Sequence, residues 1–365
     1  MLLNGRRQVL SSVQTDDGSS FVDLAALVPM LAVEHVEILK DGATAIYGSE
    51  AVAGVANFIT RQDFEGIEVQ AEYRSRVSGG SQDDLVLDAA IGGNAGTANF
   101  LLAGSYLDRS SLVLIEVDWL RAATSGFGNP GSFNVPSLGR TVADPQCERY
   151  AGLLQELVNG GTICRFDYGP QITAIPNEQR TQAWGRVDLE VNQTGNVWAE
   201  FGYARNDISR DVSPSFPVLN TPLVPANNPG NTFGEAVFFQ GRPFGFGHPP
   251  EINYYQHDTA RLALGVDGRF SERTDWNASL VHAVNDSLLN PRDVIAANFQ
   301  AALQGFGGSG CGTTPTAPEP ATSFTEGAAN LLDADPPHVN IAGSYDPRSA
   351  DPRGRRVYVR VQAAR

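Results

Sequence analysis

The sequence predicts a mainly β fold: a small mixed α+β unit over residues 1–63, then a long antiparallel β array over 64–365. Three observations carry this reading. Apolar and polar side chains alternate with a period of two in seven segments, which marks strands with one apolar and one polar face. Short turns alternate with long Gly/Pro/Asn-rich connections. No apolar run approaches the roughly 20 residues of a membrane helix, since the longest, Leu24 to Val33, is interrupted by Pro29.

Along the chain, Asp23 is placed to cap a short helix from Leu24 that Pro29 ends. Val36–Leu39 and Val52–Thr60 read as strands, with a small-residue turn at Ala43–Tyr47 between them. From Gly66 the strand period takes over. Ile67, Val69, Ala71 and Tyr73 alternate with polar residues up to Arg76, and the pattern recurs in Leu85–Ile91 and Ala98–Tyr106. Short turns are expected at GGSQD near Gly79 and GGNAG near Gly92. Two more hairpins follow, Val187–Tyr203 through NQTGN and Ala260–Val284 through SERT, and a further strand begins near Val357. The connections Asp108–Glu178, Ser209–Asn253 and Asn290–Arg355 are longer than structureless loops in compact soluble domains. They suit a transmembrane barrel, with short turns on one side and long loops on the other. Tyr73, Tyr106, Tyr203, Tyr254, Tyr255 and Phe270 lie near strand ends, where an aromatic girdle belongs. A soluble β-sandwich with decorated loops stays open on this pattern alone.

Composition narrows the function classes. Lys+Arg number 26 against 41 Asp+Glu, a net charge of −15, and Lys40 is the single lysine. Without a basic stripe, nucleic acid is not an expected partner. There is no CxxC, HExxH or His–Cys cluster, so neither a metal nor a cofactor is expected. Asp, His and Ser show no spacing that seats a nucleophile with its base, so no enzyme is expected. Gly305–Gly312 has a phosphate loop's glycines but no lysine, preceding strand or following helix. The sequons at Asn192, Asn277 and Asn285 fall on strands or turns and are discounted. Cys147 and Cys164 can form a local bridge in an oxidising compartment; two free thiols are the alternative. The opening residues MLLNGRRQVL lack the apolar core of a signal peptide.

Val33–Thr60, VEHVEILKDGATAIYGSEAVAGVANFIT, resembles the end of the plug domain of TonB-dependent outer-membrane receptors. Glu34, Val36, Glu37, Leu39, Lys40, Gly42, Ala43, Tyr47, Gly48, Ser49, Ala51, Gly54, Val55, Asn57, Ile59 and Thr60 fall in register with the family pattern. His35 stands where arginine is common, and Ala53 where the first of two glycines is. LLNGRR, Leu2–Arg7, looks like the plug strand that precedes a ligand-facing apex. The resemblance implies that residues 1–63 are the C-terminal part of a plug. It makes 64–365 the N-terminal part of a transmembrane β-barrel, with long extracellular loops and a parent barrel of about 22 strands. The fold expected is therefore a partial antiparallel barrel behind part of a plug. A sheet edge left open in lipid costs several kcal/mol per unpaired backbone group, so the chain is expected to be a fragment.

The resemblance further implies an outer-membrane location, contact with outer-membrane lipid, and uptake of a small-molecule nutrient such as a carbohydrate, another organic nutrient or a siderophore. It also implies TonB as partner, through an N-terminal TonB box that is not read in this sequence. Arg6, Arg7, Asp16 and Asp17 are the candidate ligand contacts, with the aromatic runs Phe127–Phe133 and Phe233–Phe246. Glu34, Glu37, Lys40 and Asp41 are expected to make polar plug–barrel contacts with inward residues such as Arg74 and Arg186. Gly42, Tyr47, Gly48, Ser49, Gly54 and Asn57 form the structural signature, the glycines serving backbone geometry. A soluble sandwich acting as an adhesin or lectin, and a non-functional receptor remnant, are the alternatives.

Overall fold

The computed structural model describes residues 1–13, 21–26, 28–40, 54–77, 79–120, 123–192, 194–213, 222–228, 231–242, 244–245, 247–272, 274–290, 296–303 and 356–364. The first unit is a small sheet of β1 (Leu2–Leu3), β2 (Arg6–Arg7), β3 (Val33–Leu39) and β4 (Val55–Thr60), in the order β2-β1-β4-β3. Asn4 and Gly5 take positive φ (49° and 77°) and close the β1–β2 hairpin, as expected of an Asn-Gly pair. The residues after Asp23 form a 3-10 turn, Leu24–Ala26, in which the Asp23 carboxylate accepts the Ala25 N–H at 2.9 Å. Gly54 has a φ of +125°, and a Cβ there would lie 2.5 Å from the Leu39 carbonyl oxygen, so a side chain would push β3 away from β4. Gly42, Tyr47, Gly48 and Ser49, like Asp16, Asp17 and Asp41, lie outside the described residues.

A meander follows: β5 (Gly66–Arg76), β6 (Asp83–Ala95) and β7 (Ala98–Arg109). Gly92 is a strand residue, and the chain reverses at 96–97, at the last glycine of GGNAG and the residue after it. The connection Asp108–Glu178, expected to be structureless, is ordered into short strands: β8 (Leu112–Val113), β9 (Thr124–Ser125), β10 (Ser132–Val135), β11 (Arg140–Ala143), β12 (Leu153–Glu156), β13 (Thr162–Asp167) and β14 (Thr173–Ile175). The wall then continues with β15 (Asn177–Asn192) and β16 (Gly195–Val212). After β17 (Leu223–Val224) and β18 (Val237–Gln240) come β19 (Glu251–Ser271), β20 (Thr274–Asn290), a helix at Ala296–Leu303 and β21 (Arg356–Ala364). One eight-stranded sheet results, in the order β20-β19-β16-β15-β7-β6-β5-β21. The last strand pairs with the first wall strand, Val361 opposite Ala71, and does not extend the sheet beyond β20.

The wall is polar toward the small unit and apolar away from it. Ile67 (53% exposed), Val69, Leu87, Val187, Phe201, Leu264 and Leu280 point outward and stay exposed, while Glu68, Glu72, Asp84, Gln182, Glu200 and Arg261 point inward and are buried. A soluble sandwich buries the opposite face of each strand. The exposed Phe270 and Trp276 pack with ring centroids 5.8 Å apart beside the short turn at 272–273, at one edge of the apolar belt. Tyr203 and Tyr254 also face outward, nearer the long loops, whereas Tyr255 lies on the inward-facing parity and does not join a girdle. β19 has 21 residues, about twice the 9–11 needed for a tilted crossing. Its far half therefore projects beyond an apolar belt of bilayer thickness.

The long connections meet beyond that belt. β10 pairs with both β11 and β18, and β18 with β17, so segments separated by two wall strands share a sheet. Phe133, Val135, Val224, Val237, Phe239, Phe244, Phe299 and Leu303 form their common core. The aromatic runs expected to face a ligand therefore supply Phe133, Phe239 and Phe244 to packing. Cys147 and Cys164 are bonded, Cα–Cα 5.7 Å, a closure worth about 3 kcal/mol for a loop of this size.

Replacing Gly54 by alanine is expected to destabilise the small sheet by about 1–3 kcal/mol, read as faster proteolysis of residues 33–60 in urea. Burial holds the Asp144 carboxyl above its ordinary value, against the Gln146 N–H that it accepts. The native state thus favours the protonated acid, a preference complete at low pH and lost as pH rises through the raised value. Asp144→Asn keeps the acceptor and removes the charge. Its thermal midpoint should exceed the wild type's at pH 7, and the difference should close below 3.8.

Candidate functional site: the junction between plug and wall

The hairpin at Asn4–Gly5 lies over the inward face of the wall at its short-turn half. Asn4 is fastened to its own sheet first: the Thr60 N–H donates to its Oδ1 at 3.0 Å, and its Nδ2 donates to Thr60 Oγ1 at 3.0 Å. The same amide nitrogen reaches across to Glu200 Oε1 at 2.8 Å. Beside it the Gly5 N–H donates to Asn57 Oδ1 at 2.9 Å, and Asn57 Nδ2 to Glu37 Oε2 at 2.9 Å.

Glu200 is 1% exposed. Besides Asn4 it accepts from Arg186 Nη1 at 2.5 Å and from Arg261 Nη1 at 2.8 Å. Strand register makes this possible, because β15 sets Arg186 opposite Glu200 and β19 brings Arg261 to the neighbouring rung. Arg186 also clasps Asp188 through Nε and Nη2, at 2.7 and 2.5 Å. Trp198, two residues before Glu200 and equally inward, receives the Arg6 guanidinium at 3.8 Å from the ring centroid and that of Arg186 at 4.9 Å. Such stacking is worth about 0.5–2 kcal/mol, more as water is excluded. Gly265 leaves the space Trp198 occupies, since a Cβ there would meet the indole at 2.1 Å. Burial draws the Arg6 guanidinium below its ordinary value, Glu200 opposing and Arg186 and Arg261 reinforcing the shift; an arginine remains charged regardless.

Around this polar centre lies an apolar contact. Leu3, Val28, Leu31 and Ala32 pack on Ala90, Leu101, Ala103 and Trp184 of the wall. Gln182 Nε2 donates to the Ala25 carbonyl at 2.8 Å, and Arg61 Nη1 reaches Glu68 Oε2 at 2.5 Å.

Of the expected plug–barrel residues that are described, Arg186 sits at this junction, and Glu34, Glu37, Lys40 and Arg74 do not. Arg74 is held by Glu72 and Asp84 of the wall itself, in a ladder that continues through Arg109 to Glu178. Glu37 turns back to Asn57, Glu34 is exposed on the sheet's edge strand, and Lys40 is exposed just past its end. β3 forms the edge of the small sheet farthest from the hairpin, which keeps its charges off the described wall. Arg6 faces the wall's short-turn half, away from the loops where a ligand apex was expected, and Arg7 beside it is exposed. Asn4, Trp198, Glu200 and Arg261 escaped the sequence reading, and Thr60 entered it only as part of the plug pattern. Strand parity already placed Glu200 on the polar face, and Asn4-Gly5 was legible as a tight turn.

A wall with its apolar face outward and its charged face closed on a small sheet defines a plugged barrel of the outer-membrane kind, here a partial one. Residues 1–55 match the family model described as TonB-dependent Receptor Plug Domain. The match makes this first unit similar to the plug of TonB-dependent outer-membrane receptors. The chain is 28% identical over 112 residues to the iron-regulated outer membrane virulence protein of Vibrio cholerae, a stretch covering 31% of this chain and 16% of that protein. It is similar in structure to the ferripyoverdine receptor of Pseudomonas aeruginosa (10% identity, 75% of this chain and 27% of that one, TM-score 0.39). The siderophore receptor PirA from Acinetobacter baumannii is similar at 11% identity, 86% and 42% coverage and a TM-score of 0.35. Likeness at this level says nothing of what the chain binds, and the chain spans well under half of each of these proteins.

Glu200→Ala is expected to cost about 3–5 kcal/mol, because it takes the carboxylate from the buried Arg261 guanidinium and leaves Arg186 to Asp188, whereas Asn4→Ala should cost about 1–2 kcal/mol. A double-mutant cycle between Asn4→Ala and Glu200→Gln, read by urea unfolding in detergent, should give a coupling of about 0.5–3 kcal/mol.

Proposed function

We propose that this chain provides the plug and part of the barrel wall of a receptor that takes up a small-molecule nutrient across the outer membrane. Outer loops capture the solute, TonB pulls the plug, and a path opens along the charged inner face. The observation that carries this reading is the junction at Glu200. The plug is held by side-chain hydrogen bonds such as Asn4 to Glu200 and Gln182 to the Ala25 carbonyl, by the Arg61–Glu68 pair, by Arg6 over Trp198 and by an apolar contact, with no backbone ladder joining it to the wall among the described residues. Hydrogen bonds of this kind exchange for water at a net cost of about 1 kcal/mol each, so the plug can part from the wall while both stay folded.

A ferric siderophore is the first ligand to test, because the Vibrio relative is named for iron regulation; a carbohydrate is the second. No catalytic step is invoked. The adhesin or lectin reading would need the apolar strand faces packed into one core, and Leu264, Leu280 and their neighbours are exposed.

The test is uptake by a Gram-negative host expressing the receptor from its own coding sequence, with and without TonB. Radiolabelled iron chelates and a labelled maltodextrin are supplied in parallel. Accumulation of one of them that requires TonB and stops with a protonophore is the expected result. Binding at the cell surface with no accumulation in either host would overturn transport in favour of a surface-binding module.

A further inference from the structure

We infer that the described parts of the three long connections that share one core, Ser132–Val135, Leu223–Val224, Val237–Gln240 and Ala296–Leu303, form one cooperative cap which opens as a single body, not as separate lids. Its parts come from chain segments joined to different wall strands. Ser132–Val135 lies between β7 and β15, Leu223–Val224 and Val237–Gln240 lie between β16 and β19, and Ala296–Leu303 follows β20. None of these pieces has a core of its own. Phe133 and Val135 come from the first connection, Val224, Val237, Phe239 and Phe244 from the second, and Phe299 and Leu303 from the third. Phe239 touches both other partners, with ring centroids 5.6 Å from Phe133 and 5.9 Å from Phe299.

Backbone contacts tie the same pieces together. Ser132, Phe133 and Asn134 pair with Gln240, Phe239 and Phe238. The Arg242 N–H donates to the Gly128 carbonyl at 2.9 Å, its Nε to the Phe127 carbonyl at 2.9 Å, and Asn129 Nδ2 returns a bond to the Arg242 carbonyl at 2.9 Å. The two chains run so close at Gly131 that a Cβ would lie 2.6 Å from the Gln240 carbonyl oxygen. The helix is joined by side chains that imitate a strand. Gln300 Nε2 donates to the Leu223 carbonyl at 2.8 Å, the Leu223 N–H donates to Gln300 Oε1 at 2.8 Å, and Asn228 Nδ2 donates to the Leu303 carbonyl at 2.8 Å.

A segment can swing out alone only by exposing its share of this core and breaking the β10–β18 ladder. Removing any one segment uncovers the apolar surface of the other two. Their opening is therefore coupled, and the unit behaves as one local folding unit with a common free energy. A solute reaching the mouth meets a preassembled surface, and a ligand that shifts one connection shifts all three. The inference rests on packing alone and stands whether or not a solute is transported.

Native-state hydrogen exchange on the full chain in detergent micelles tests it. The amides of Ser132–Val135, Val237–Gln240 and Ala296–Leu303 should share one opening free energy and one denaturant slope, separate from those of β15 and β16. Phe239→Ala should then speed exchange about a hundredfold in all three segments while wall protection is retained. The gentler Phe239→Leu serves if the alanine variant does not assemble. Distinct free energies for the three segments, or acceleration confined to 222–245, would overturn the proposal.

Discussion

Everything in the wall follows from turning the hydrophobic pattern inside out. Strands that cross lipid must pair every backbone group within the sheet and present apolar side chains to the bilayer. Period-two alternation then drives the polar half of each strand into the interior. Charges buried there have to be matched, and they are matched along the sheet: Glu72, Arg74, Asp84, Arg109 and Glu178 form one ladder, and Asp188, Arg186, Glu200 and Arg261 another. The antiparallel register sets these partners on neighbouring rungs, so these charges are matched within the wall, while Glu68 is met by Arg61 of the plug.

The plug uses what that arrangement leaves over. Glu200 already holds two guanidinium groups and still accepts from Asn4, a neutral donor fixed by Thr60. A neutral amide on a buried carboxylate joins the two units without burying another charge. The cation–π contact of Arg6 and the apolar patch around Leu31 orient the plug, and neither locks it covalently or through a shared sheet.

Opposite design rules govern the two ends of the wall. At the short-turn end, β6 and β7, β15 and β16, and β19 and β20 are each separated by two residues, which leave nothing to fold. At the other end the connections are long enough to hold their own apolar residues, and they pool them. The Cys147–Cys164 bond and the shared phenylalanine core are devices of a small soluble domain placed on top of a membrane wall.

The strand alternation, the short turns and the plug pattern from Val33 to Thr60 were legible in the sequence, because each is carried by residues close together along the chain. Alternation could not tell a lipid-facing surface from a packed core, and the exposure of Ile67 and Leu264 decides it. Of the aromatic runs Phe127–Phe133 and Phe233–Phe246, Phe133, Phe239 and Phe244 are packed in the shared core, which the sequence did not reveal because aromatics in a connection look alike whether they face solvent or a partner loop far away in sequence. The plug–wall partners were missed for the same cause: Asn4 and Glu200 are 196 residues apart, and only the register of β15, β16 and β19 selects Arg186 and Arg261 to meet them. Local periodicity determined which residues share a face; the tertiary structure alone decided which faces meet, since that depends on contacts with no signature along the chain.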